Sequence, residues 1–222
     1  MTIWHYFLRD LKLYFRNASE LTTPLIFFLI AIAMFPLGVS PESALLRPIS
    51  FGLVWVVALF CMQFSLDTLY RDDFSSGALE QLVQHEVPLA VIAISRTLVY
   101  WVCFGVPIAI MAPVLGLMLA MESSGFGVLS LTLLVGTMGM ASIGAIGSAL
   151  TVSLKKGSVV MTLIVLPMFV PFLIFGSGAV NAAITGANVS PPLTALVGIT
   201  VLALSICPPA IAASIKMSVE NG

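Results

Sequence analysis

A chain of 222 residues that is 59% hydrophobic and only 9% charged, with mean hydropathy +1.12, has too little polar surface to cover a water-soluble globule. Its net charge of −1 gives no basic field and argues against nucleic acid as a partner. The apolar runs are continuous and lack period-2 alternation, so the expected class is an all-α polytopic membrane protein rather than a barrel.

In residues 1–18, Ile3, Trp4, Phe7, Leu8, Leu11, Tyr14 and Phe15 recur at helical spacing, with Arg9, Asp10, Lys12 and Arg16 assigned to the other side. This predicts an amphipathic helix lying flat in the membrane interface on Trp4, Phe7, Leu11 and Tyr14. It serves either as an anchor or as an elbow that also touches a partner. A span needs roughly 20 apolar residues, and the runs between charges, with the charge-free tail divided at its glycines and prolines, place six, at about 21–39, 48–66, 97–121, 126–154, 158–178 and 193–214. Pro36 and Gly38 close the first, and Arg96 borders the third. In the third span Pro107 and Pro113, and in the fifth Pro167 and Pro171, remove backbone hydrogen bonds and are candidate conformational joints. Thr137, Ala141, Ala145 and Ala149 recur every four residues in the fourth span. Such a stripe lets helices approach closely, either within the chain or at a subunit interface. Gly176-Ser177-Gly178 and the stretch from Gly186 to Pro192 interrupt the long charge-free tail, and Pro208-Pro209 bend or end the sixth span.

Lys and Arg set orientation. With both termini cytoplasmic, the inside holds Arg9, Lys12, Arg16, Arg71, Arg96, Lys155, Lys156 and Lys216, against Arg47 alone outside. The polar segment 71–86 between the second and third spans then faces the cytoplasm. Gly77 can serve as N-cap with Glu80 at N3, while Leu79, Leu82 and Val83 form a small apolar stripe. A helix that must stop by Val87-Pro88 is marginal in water and needs support from the span ends or from another protein. Asp72, Asp73, Gly77, Glu80, Gln81 and Gln84 are the candidate docking residues. The bland alternative is a solvated acidic loop.

No ionisable side chain lies deep in a predicted span, which disfavours transport by proton relay. A membrane hydrolase is disfavoured because a Ser nucleophile would lack a base. Cys61, Cys103 and Cys207 read as small core residues, His5 and His85 as surface histidines, and no metal or haem-attachment motif is present. No catalytic or metal-binding residue is therefore assigned, and the chain is not expected to be an enzyme. A bundle with candidate joints, no energy source and one acidic docking segment fits the membrane half of a transporter driven by a partner.

The runs Phe35-Pro36-Leu37-Gly38-Val39-Ser40-Pro41-Glu42, Gly52-Leu53-Val54-Trp55-Val56, Arg71-Asp72-Asp73 with Gly77-Ala78-Leu79-Glu80-Gln81-Leu82, Ala149 to Gly157, and Leu166 to Phe175 together resemble the CcmB family. That resemblance implies an ABC-2-like permease subunit of a haem export complex for cytochrome c biogenesis, in the bacterial inner membrane. It implies two copies of the subunit on a CcmA-like ATPase, beside CcmC-like and CcmD-like membrane proteins, serving the haem chaperone CcmE. Residues 72–84 would be the coupling helix received by the ATPase. Haem would be the cargo, with no cofactor held tightly by this chain, and ATP would sit on the partner. Two alternatives stay open: a non-conducting scaffold of the same complex, and an ABC-2 type exporter of lipid or polysaccharide.

Overall fold

In lipid every backbone polar group must be bonded within its own segment, so long apolar runs become helices. The computed structural model describes residues 3–16, 18–39, 42–66, 68–83, 88–154 and 157–220, and the regular elements among them are all helical. They are α1 (Ile3–Arg16), α2 (Ala18–Gly38), α3 (Ser43–Leu46), α4 (Ser50–Phe64), α5 (Thr68–Ser75), α6 (Ala78–Val83), α7 (Leu89–Tyr100), α8 (Val106–Met118), α9 (Phe126–Thr151), α10 (Gly157–Thr185) and α11 (Ser190–Glu220). Short 3-10 turns precede α4 and α9, and a π-helical stretch, Trp101–Gly105, joins α7 to α8. Among the described residues six stretches are long and apolar enough to cross a membrane, so the chain is a multi-pass membrane protein.

Helix α9 is the centre of the bundle and packs on α4, α7, α8, α10 and α11. Thr137, Ala141, Ala145 and Ala149 are buried inside the chain. On the adjoining rows a Cβ at Gly136 would strike Trp55, at Gly139 Phe172, at Gly144 Leu66, and at Gly147 Val165. Lipid tails are as apolar as the side chains, so close packing of this kind, together with interhelical hydrogen bonds, drives association. Two such bonds tie α11 to α9: Thr200 Oγ1 donates to the Val135 carbonyl at 3.3 Å and Ser218 Oγ to the Ala149 carbonyl at 3.5 Å. The Tyr100 hydroxyl donates to the Met62 carbonyl, one of the acceptors left open at the end of α4. That uses the phenol's one proton, so the 3.1 Å contact with Ser65 Oγ has the serine donating.

Several expected boundaries move. The third span begins at Leu89 rather than near residue 97, directly after Pro88, and Arg96 falls inside it. The fifth does not stop at Gly176-Ser177-Gly178: α10 runs on to Thr185, and turns only at Gly186, with φ +73°. Gly176 is a notch for the Trp55 indole, where a Cβ would collide with the ring, and its role is close approach rather than helix termination. Pro167 and Pro171 lie within continuous α10, and Pro208-Pro209 within continuous α11. Pro113 likewise lies inside α8.

Pro107 has a visible local consequence. It cannot donate to the Cys103 carbonyl and its ring would crowd that group. The preceding turn is widened, with the Val106 N–H bonded to the Trp101 carbonyl five residues back. The Trp101 indole N–H donates to the Leu134 carbonyl at 3.1 Å and Thr137 Oγ1 at 3.2 Å, fixing this turn to α9.

Gly176→Leu should lower the unfolding midpoint of the detergent-solubilised protein, by overpacking worth about 1–3 kcal/mol. Gly178→Ala, whose Cβ would meet only Pro192 at 3.9 Å, should leave it unchanged.

Candidate functional site

The polar segment between the second and third spans folds as two short helices set at an angle by one glycine. Gly77 has φ +72°; its N–H bonds the Phe74 carbonyl at 3.2 Å, and the Ser76 N–H bonds the Asp72 carbonyl at 3.1 Å. Glycine in the left-handed region just past a helix is a C-terminal stop. Gly77 therefore ends α5, and it also directly precedes α6, with Glu80 three residues on as expected of an N-cap; the helix not expected from sequence is α5.

One face of α5 is turned inward. Leu69 and Tyr70 are buried and Phe74 is half-buried against the core, while Leu79 of α6 is buried with them. These positions follow helical spacing, and they seat α5 on α9 and α6 on α11. On its own side Arg71 lies over the turn between α9 and α10, so close to Gly157 that a Cβ there would stand 2.7 Å from Nη2. The segment thus rests on the ends of several spans at once.

Arg96, inside α7, is the ionic seat. Its Nη2 pairs with Asp73 Oδ2, its Nε lies 3.6 Å from Asp10 Oδ2, and its guanidinium carbon is 5.4 Å from the Tyr70 ring centroid. The side chains of Arg96, Asp10 and Asp73 are 10%, 7% and 30% exposed. A guanidinium presents five donors in a rigid fork and can meet two carboxylates, which an ammonium does less well.

The docking residues expected from sequence therefore divide. Asp72 and Glu80 are exposed and face away from the bundle. Asp73 does not join them; it is half-buried on Arg96, because α5 puts it on the same face as Leu69 and Tyr70. Gln84 and the side chain of Gln81 lie outside the described residues.

The N-terminal helix is also corrected. Phe7, Leu11 and Tyr14 were expected to face lipid, but they pack on the bundle, with Tyr14 edge-on to Phe104 at 5.9 Å between ring centroids. Among the described side chains of α1, Leu8, Leu13 and Phe15 are the exposed large apolar ones. The Trp4 side chain lies outside the described residues. Asp10 sits on the inward face, as its spacing three after Phe7 and four before Tyr14 requires, and not on the charged side. Arg9 reaches its Oδ1 with Nε at 3.0 Å and Nη2 at 2.9 Å. Sequence reading missed both Asp10 and Arg96. The signals were that spacing and Pro88, which marks a helix start eight residues before Arg96.

The three free cysteines are buried singly, and among the described residues no three His, Cys, Asp or Glu side chains come together to hold a metal. The arrangement is a multi-pass helical membrane protein with a polar segment seated on the ends of its spans. A family model described as CcmB protein matches residues 1–218, and the chain belongs to the CcmB family. It is 45% identical over 211 residues to heme exporter protein B of Pseudomonas aeruginosa, covering 95% of each chain. To the protein of the same name from Haemophilus influenzae it is 40% identical over 213 residues, covering 96% of each. To that of Escherichia coli K12 it is 38% identical over 220 residues, covering 99% of this chain and all of the relative.

Arg96→Met would leave Asp10 and Asp73 without their shared cation. The expected loss is about 3 kcal/mol, at the low end for a broken buried pair because Asp73 is partly exposed. A denaturant titration of the purified protein should show it, and adding Asp10→Asn and Asp73→Asn to the same variant should recover part of the loss.

Proposed function

We propose that the chain is the membrane subunit of a haem export system serving cytochrome c biogenesis. Its near full-length similarity to proteins named heme exporter protein B supports the transport role. The coupling reading goes further: the subunit sits in the bacterial inner membrane with both termini cytoplasmic, and a partner ATPase of the CcmA type docks on α5 and α6. One observation carries it. Asp72 and Glu80 are exposed on a segment whose other face is seated on α7, α9 and α11, so a load applied outside is delivered to three spans.

The subunit's task in this reading is mechanical. ATP binds and is hydrolysed on the partner, and α5–α6 receive its motion through charged and polar contacts. Leu69, Tyr70, Phe74 and Leu79 pass it into the bundle because closely packed side chains cannot move independently. Haem is the cargo of the assembly, which includes CcmC-like and CcmD-like membrane proteins, two copies of this subunit and the haem chaperone CcmE.

Asp72→Lys combined with Glu80→Lys tests the docking surface without touching the Asp73–Arg96 pair. The variant should remain in the membrane at normal level, lose the co-purifying ATPase in mild detergent, and lower the yield of cytochrome c at least tenfold. Retained ATPase and an unchanged cytochrome yield would overturn the docking surface.

A further inference from the structure

Helix α1 and the docking segment are far apart in sequence and both are charged, yet each places one carboxylate on the same cation of α7. Asp73 of α5 and Asp10 of α1 share Arg96. Asp10 Oδ2 is buried and has no hydrogen bond among the described residues, so the Arg96 charge at 3.6 Å is what offsets its desolvation. The other oxygen is closed by Arg9 from α1 itself. Tyr70 is stacked near the same guanidinium, which confines it between α5 and α1.

From this geometry we propose that Arg96 is a positioning residue that yokes the N-terminal helix to the docking segment, so that α1 moves with α5 when the partner ATPase acts. The proposal rests on the docking reading above and adds a second moving part to it. Past Arg96, the described packing of α1 runs through Leu11 and Tyr14, with Tyr14 edge-on to Phe104 in the π stretch. Apolar contacts between membrane helices can slide with little penalty, since lipid replaces them. The carboxylate is harder to slide: Arg9 travels with it on Oδ1, but leaving Arg96 takes the only described cation from its buried Oδ2. Asp10 is therefore the part of α1 that must follow α7 and α5.

Asp10→Asn isolates this link, because it keeps the shape of the side chain and leaves Arg96 on Asp73. Spin labels would be placed at Lys12 on α1 and at Ser76 after α5, each paired with a reference label at Ser124 in the loop on the far side; all three positions are exposed, whereas the native cysteines are buried. Distances would be measured in the complex with its ATPase, with and without a non-hydrolysable ATP analogue. Both distances should shift in the native background. In Asp10→Asn the shift at Ser76 should persist and that at Lys12 should be lost, and Asp10→Glu should restore it. A Lys12 shift that survives in both Asp10→Asn and Arg96→Met would overturn the yoke. So would a native complex in which Ser76 moves and Lys12 does not, and that result would leave the docking reading standing. A native subunit that retains no ATPase would remove both readings, and the co-purification assay separates that case from the others.

Discussion

A guanidinium about two turns inside an apolar helix is tolerable only if carboxylates from elsewhere are brought to it. Arg96 of α7 sets this condition, and much of one end of the molecule answers to it. Asp73 must be on the inner face of α5, the face on which Leu69, Tyr70 and Phe74 pack against the core. Asp10 must be on the inner face of α1, so α1 is drawn against α7 with Phe7, Leu11 and Tyr14 packed on the bundle. The polar segment between two spans is therefore a seated platform with one exposed acidic edge.

The rest of the bundle makes that platform stiff. Helix α9 presents alternating small residues, and Trp55, Leu66, Val165 and Phe172 project into the notches its glycines leave. Leu66 lies two residues before α5, so its insertion at Gly144 ties the root of α5 to the central helix. Filled notches allow few positions, because a displaced side chain meets backbone rather than another flexible chain. A platform on such a base transmits displacement instead of absorbing it.

How much of this could be read in advance depended on whether the cause was local. The first four apolar runs were visible because charges punctuate them and the last two because the Gly186 to Pro192 stretch divides the charge-free tail, and the four-residue repeat of Thr137, Ala141, Ala145 and Ala149 marked a packed helix face that is buried as a unit. The polar segment was visible as an island between spans, and Gly77 as the residue before a short helix, although α5 was not: only the positive φ shows that Gly77 also stops a helix. Gly176 looked like a breaker because the ring that fills its notch is contributed by Trp55, more than a hundred residues earlier. The pairing of Asp10, Asp73 and Arg96 was hidden for the same reason, since ion pairs between elements leave no periodic trace in sequence.

The two ends of the bundle are closed by charge in different ways, and the difference bears on where it can give. At the far end Arg47 and Glu122 pair at 2.6 Å, but both side chains are about half exposed. Such a pair is worth roughly 0–1 kcal/mol and is easily exchanged for water. At the end where α5 sits, Arg96 and Asp10 are buried and Asp73 is 30% exposed, so parting them costs more than parting the exposed pair. Between them lies the π turn at Trp101–Gly105, where Pro107 has already removed one ladder hydrogen bond. Helix α1 runs beside this junction, with Asp10 on Arg96 before the π turn and Tyr14 on Phe104 within it. It splints α7 up to the widened turn, leaving the backbone beyond, through α8 to the weakly closed far end, as the less restrained half of the third span.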